Sequence, residues 1–463
     1  MNIPQKINSL GLGISGILLP EAGCISKWPV IACDQYTQDR EYWKKVKDTA
    51  GSFPSAINLI FPEIFLNDAD ADKRISDIHS AMNRYLKDGT LAPPRSGFIY
   101  IERDTPFHKK RRGLIAAIDL EHYDWHPDSR PLIRCTEGTV PERLPPRMDI
   151  RRGAPLELPH VLLLIDDDKD ELLPALGRMA QRQNSPLYDV SLMMDSGRVT
   201  GWHINAENDG KPAEAMLHII KTLDELCSRS VDRYSAENGK PFLFAVGDGN
   251  HSLAAAKGIW NEIKEGLAAD GKELVHPCRY ALVEIENIYD PAIQFEPIHR
   301  LVFDTGFDGI VSLLSKLPDF SVRQLKNEQE LSSVVSDFDA AKRGAGNIFG
   351  IISEGRYALI NTSAAGISTA CLQPLLDEYQ VLNKGTECTL SPCKECLDYI
   401  HDEKELFRLS AAGNRKAAGI LLPPVQKSGL FDTVARLGPL PRKSFSMGHS
   451  CEKRFYLECR SLK

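Results

Sequence analysis

The segment FLFAVGDGNHS, residues 242–252, limits the fold more than any other stretch of the chain. The apolar run Phe242–Val246 suits a buried strand, Gly247 and Gly249 permit positive φ angles, and Asn250 is predicted to cap a helix. That helix follows at once. Leu253, Ala256, Trp260, Ile263 and Leu267 recur at three- and four-residue spacing, with Lys257, Asn261, Glu262, Lys264 and Glu265 on the other face. A strand that turns directly into a helix presents unpaired backbone N–H groups at the positive end of the helix dipole, which favours an anion such as phosphate. Gly247, Gly249, Asn250 and Ser252 are therefore predicted to bind phosphate, and His251 to donate to a phosphate oxygen. Asp248 is out of place beside an anion unless it binds Mg²⁺, positions a hydroxyl or fixes the turn. The alternative is a turn in which Asp248 and Asn250 only cap.

At 463 residues the chain has room for two or three domains and a buried core. A buried-strand pattern at 160–168 and a strand pattern at 279–290 with one apolar and one acidic face alternate with helical patterns at 38–51 and 212–230, which predicts an α+β fold with a mixed sheet. We expect three regions, 1–155, 156–320 and 321–463. No apolar stretch approaches the ~18 residues that a membrane helix needs. The start of the chain lacks the compact apolar region of a secretory signal, and a cytoplasmic location with reduced thiols is expected for its 11 cysteines. A net charge of −7 disfavours broad binding to nucleic acid or anionic membranes, so the expected partners are a nucleotide and a small substrate.

Other segments offer candidates around the turn. Arg134, Arg143, Arg147, Arg151 and Arg152 lie in a Pro-rich stretch read as a long connection or lid, where guanidinium groups could bind phosphate; surface pairing with acids is the alternative. Glu137 in the same stretch is a candidate base for a substrate hydroxyl. Glu284 and Glu286 share one face of a strand, about 6.5–7 Å apart, and could share a metal or simply face solvent. Asp34, Tyr36 and Thr37 are candidate substrate contacts, with Thr37 also a helix N-cap; His299, Arg300 and Lys443 complete that set. Cys388, Cys393 and Cys396 have a C-x4-C-x2-C spacing, but nothing around them resembles a ferredoxin loop. GLGISG at 11–16 matches a dinucleotide fingerprint only in its letters, since no strand–helix context surrounds it; it is read as a flexible turn.

GDGNHS, together with VIACDQYT, IRCTEGTVPERLPPR, LELPHVLLLIDD, FEPIHRLVF and LPRKSFSMG, resembles domain-of-unknown-function family 1015 over nearly the whole chain. The central motif also resembles the phosphate-gripping turn of the ParB and sulfiredoxin-like superfamily, which includes free-serine kinases. The resemblance implies a ParB/sulfiredoxin-like core and a phosphotransferase that uses ATP or ADP with Mg²⁺, free L-serine being the first candidate acceptor. A non-catalytic nucleotide sensor and a hydrolase of phosphorylated metabolites are the alternatives. Here Asn250 and Ser252 stand where the family often has histidine and arginine, so another cation must balance a phosphate.

Overall fold

The computed structural model describes residues 2–37, 39–208, 211–234, 240–338, 346–383, 396–411 and 416–463. The chain is divided into two units. Met1–Ile293 with Gly448–Lys463 form the first, and Gln294–Met447 form the second. This division replaces the expected three regions, because strands on both sides of residue 155 belong to one sheet.

The first unit is built on a mixed sheet whose main strands are β1 (Ser15–Leu18), β2 (Arg95–Asp104), β3 (Arg111–Asp119), β4 (Ile133–Cys135), β5 (Leu162–Ile165), β6 (Phe244–Asp248), β7 (Tyr280–Asn287) and β8 (Cys459–Ser461). Their order is β4-β6-β5-β7-β3-β2-β1-β8. The pairs β4–β6 and β5–β7 are parallel, and the other neighbours antiparallel. Alternation places side chains on both faces. Leu114, Ala116 and Ile118 of β3 join one core cluster, while Ile115 and Ala117 join the other. Burying each large apolar side chain contributes about 1.5–3 kcal/mol, so covering both faces is what stabilises so wide a sheet.

Helices α1 (Arg40–Ala50), α2 (Leu144–Arg151), α3 (Leu172–Gln183), α4 (Glu214–Tyr234) and α5 (Asn250–Ala269) supply much of that cover. Trp43 and Val46 of α1 enter the first cluster, whereas Leu176 of α3, Met216 and Leu223 of α4, and Leu253 and Trp260 of α5 enter the second. The Pro-rich stretch contains a helix instead of an open lid. Pro145 and Pro146 fall in the first turn of α2, where a missing N–H costs nothing. Helix α2 lies along α5, with Met148 so close to Gly258 that a Cβ there would approach its Cε to 2.9 Å.

Three local expectations are corrected. GLGISG is no flexible turn: Leu12–Gly13 pair with β3, and Ser15–Gly16 begin β1, with Gly13 against the Tyr280 ring and Gly16 against Pro94. Asn250 is the first residue of α5 and not its cap; the cap is Gly249, in the left-handed region at φ 80°. Asp39, not Thr37, caps α1, its carboxylate accepting the Tyr42 N–H at 2.9 Å.

The second unit has a six-stranded antiparallel sheet in the order Ser321–Leu325, Arg356–Thr362, Asn347–Ser353, Ala417–Leu421, His299–Phe303, Leu397–Ile400. Helices Phe307–Leu314, Glu328–Ser336, Ser368–Asn383 and Glu403–Ala411 accompany it. Two apolar clusters, one around Phe349 and Ile351 and one around Ile348 and Ile352, show the period-two alternation of Asn347–Ser353. Cys388 and Cys393 lie outside the described residues, so the cysteine spacing finds no geometry here.

Candidate active site at the β6–α5 turn

Strand β6 ends at Asp248, the chain reverses through Gly249, and α5 begins. Gly249 is required by its backbone angle and by space: a Cβ would meet Cα and Cγ2 of Val161 at 3.1 Å. The Gly249 N–H donates to Asp248 Oδ1 at 2.8 Å. Among the described residues, the backbone N–H groups of Asn250 and Ser252 have no hydrogen-bond partner. The Asn250 side chain is buried, and its Oδ1 likewise lacks one.

Asp248 pairs with Lys453, Oδ2 to Nζ 3.0 Å. Burial alone would raise its pKa, yet Lys453, His160 and the Gly249 N–H together hold it below the usual carboxylate value. Lys453 is itself buried. It is a cation held at the turn by Asp248, from a part of the chain outside the arginine stretch.

Behind the turn stands His160, two residues ahead of β5. Its Nε2 lies 3.1 Å from the Ser252 hydroxyl and 3.7 Å from Asp34 Oδ2, and its Nδ1 lies 2.7 Å from the Tyr456 hydroxyl. The Cys33 N–H also donates to that tyrosine oxygen, at 3.2 Å. His160 and Tyr456 are buried, whereas Ser252, Asp34 and Asp248 remain partly exposed. The pairing of Val30–Ile31 with Phe455–Tyr456 brings the 33–34 loop and the 453–456 segment to one place.

The segment after β4 closes another side. The Thr136 hydroxyl donates to the Val246 carbonyl at 2.5 Å, and the Val140 N–H donates to His251 Nε2 at 3.3 Å. His251 Nε2 is thus an acceptor inside the protein, so this nitrogen does not serve as the expected donor to a phosphate. Glu137 follows Thr136 directly. Arg147 pairs with Glu63, whose carboxyl is raised by burial against the opposing pull of Arg147; Asp34 and His160 also act on it. Of the arginines, Arg147 therefore joins the edge of the cluster. Arg134 does not: it donates to Pro131 O and covers Phe242, at the opposite end of β6. Arg143 is exposed, and its carbonyl accepts from Arg147. Arg151 pairs with Glu157 and Arg152 with Glu262.

Asp34 thus reaches the cluster. Tyr36 instead stacks on Tyr42, ring centroids 3.7 Å apart, and Thr37 is exposed. His299, Arg300 and Lys443 belong to the second unit. His299 Nδ1 accepts the Leu422 N–H at 3.1 Å, and burial pushes its pKa down to about 4. Arg300 donates to Gln373 Oε1 and to the Lys443 carbonyl, each at 3.0 Å.

Glu284 and Glu286 do not form a solvated or metal-binding face. Both are fully buried, Glu284 3.0 Å from Arg454 and Glu286 2.9 Å from Arg111. The Glu286–Arg111 approach lacks hydrogen-bond alignment, which makes it a Coulombic contact. Among the described residues no group of three His, Cys, Asp or Glu side chains is placed to hold a metal ion. Asp248, engaged by Lys453 and the Gly249 N–H, does not fit the role of a resident Mg²⁺ ligand.

Sequence reasoning missed His160, Lys453, Tyr456 and Glu63. Only His160 had left a signal, as a histidine at the head of an apolar strand.

The sheet and its site define an α+β protein in which a strand-to-helix turn faces His160, Asp34, Tyr456 and Lys453. The sequence matches the family model described as protein of unknown function, DUF1015, over residues 14–380, and the chain belongs to that family. No curated protein matches it. Similar solved structures include a free serine kinase variant in complex with AMP, at 12% identity and TM-score 0.36, covering 75% of this chain and 91% of that one. The same kinase variant with ADP gives 13%, 0.36, 78% and 95%. A conserved hypothetical protein from Pyrococcus furiosus gives 12%, 0.32, 75% and 95%. Likeness at this distance carries no chemistry to this chain, so the functional reading rests on the site itself.

Proposed function

We propose that the β6–α5 turn binds the phosphates of a nucleotide, ATP or ADP, and that the cluster beside it transfers a phosphoryl group to a small hydroxyl-bearing metabolite, with free L-serine the first candidate. The observation that carries this reading is the pair of open N–H groups of Asn250 and Ser252 at the start of a 20-residue helix, with the buried Lys453 ammonium held by Asp248 of the same turn. Open amides, a helix dipole and a fixed cation all favour an anion of several charges. Phosphoryl transfer depends mainly on positioning and charge stabilisation, and this arrangement offers both.

In this scheme Lys453 and the two amides hold the phosphates, Asp248 keeps Lys453 in place, and Asp34, Glu137 or His160 takes the acceptor proton. No protein-held Mg²⁺ is part of the scheme, because the donor set does not fit one. The test is to incubate the purified protein with ATP or ADP, with and without Mg²⁺, and with a pool of amino acids and sugars. Phosphorylated product supports the reading; free phosphate alone points to a hydrolase, and saturable binding without turnover to a sensor.

A further inference from the structure

Ser252 and His160 have the geometry of a nucleophile and its base. The Oγ–Nε2 distance is 3.1 Å, within the reach needed for proton transfer. A third group orients the ring, since Nδ1 lies 2.7 Å from the Tyr456 hydroxyl. The tyrosine oxygen has two lone pairs. One accepts the Cys33 N–H and the other can accept an Nδ1–H, which leaves the Nε2 lone pair facing Ser252. Asp34, 3.7 Å from Nε2, would stabilise the imidazolium once formed. The hydroxyl sits in the first turn of α5, on the residue that carries one of the open amides, and is partly exposed while its base is buried. A serine that served only to cap the helix would need no histidine behind it.

From this geometry we infer that Ser252 is a covalent phosphoryl carrier. The inference rests on the phosphate-binding reading above and goes beyond it. Ser252 Oγ attacks the terminal phosphorus of a nucleoside di- or triphosphate while its proton passes to His160 Nε2. The new Oγ–P bond forms as the bond from phosphorus to the bridging oxygen breaks, and the shortened nucleotide leaves with that electron pair. The acceptor hydroxyl oxygen then attacks the same phosphorus and gives its proton to Asp34. The P–Oγ bond breaks, and Oγ recovers its proton from His160.

Such a route makes nucleotide exchange independent of the acceptor. The full chain is incubated with ATP and radiolabelled ADP, and separately with ADP and radiolabelled AMP, without any acceptor; nucleotide binding is measured in parallel by equilibrium dialysis. We expect label to enter the longer nucleotide of one pair, and acid-quenched protein to carry one phosphoryl group on the peptide containing Ser252. Ser252→Ala should abolish both signals while still binding nucleotide, and His160→Gln should slow exchange by ~10²-fold or more. Binding without exchange, or product formation by Ser252→Ala at the wild-type rate, overturns the carrier role and leaves the phosphate-binding reading standing. Absence of nucleotide binding by the wild-type chain overturns both.

Discussion

Lys453 and Asp248 hold each other in a place where neither is well hydrated. Removing one partner strands the other, and breaking such a pair typically costs about 3–5 kcal/mol when both groups are buried. Asp248 keeps some exposure, so Lys453→Met should destabilise by less, about 2 kcal/mol, and weaken nucleotide binding by a decade or more. Thermal denaturation and equilibrium dialysis check the two effects. Asp248→Asn should keep the fold and abolish turnover; unchanged product formation would remove Asp248 from the scheme. Because the folded-state pKa of Asp248 is depressed, its contribution to stability is present above its unfolded value and is lost as pH falls through the folded one.

Glu286 behaves in the opposite way. Burial, with Glu284 beside it, pushes its pKa from the ordinary 4.5 up to about 8 against the pull of Arg111. A carboxyl that binds its proton more tightly when folded stabilises the protein fully below 4.5, and that contribution is lost as pH rises towards about 8. Denaturant titrations across this window should show stability falling, and Glu286→Gln should flatten the fall without unfolding the chain.

Secondary elements with a clear period were legible in the sequence. Apolar spacing placed α5, α4 and the β5 and β7 strands because each buries one stripe or one run against the sheet. GLGISG was not legible, since its glycines are required by the Tyr280 ring and Pro94 lying across them, neighbours far along the chain. The cap of α5 was displaced by one residue because Gly249, and not Asn250, takes the left-handed angle. Gly249→Ala should therefore cost about 1–2 kcal/mol of backbone strain, before any cost of the Val161 contact, and should lower nucleotide affinity by shifting the first amides. A melting curve and a binding isotherm measure the two losses. The turn itself was readable from local sequence, whereas its cluster was not: His160 and Tyr456 are 296 positions apart and meet only through the fold.

For the whole molecule, the division into units has a direct test. Gln294–Met447 is a continuous segment with its own sheet and its own apolar clusters. Expressed alone, it should show cooperative thermal unfolding and a mixed helix–strand circular dichroism spectrum; a disordered spectrum would refute its independence. The first unit, by contrast, is completed by a segment that returns after that insertion. Asp34 is made early and Lys453 and Tyr456 late, so a chain still being synthesised cannot assemble the pocket. The cluster is complete only after residue 456 has left the ribosome, and prematurely terminated chains lack Lys453 and Tyr456 altogether.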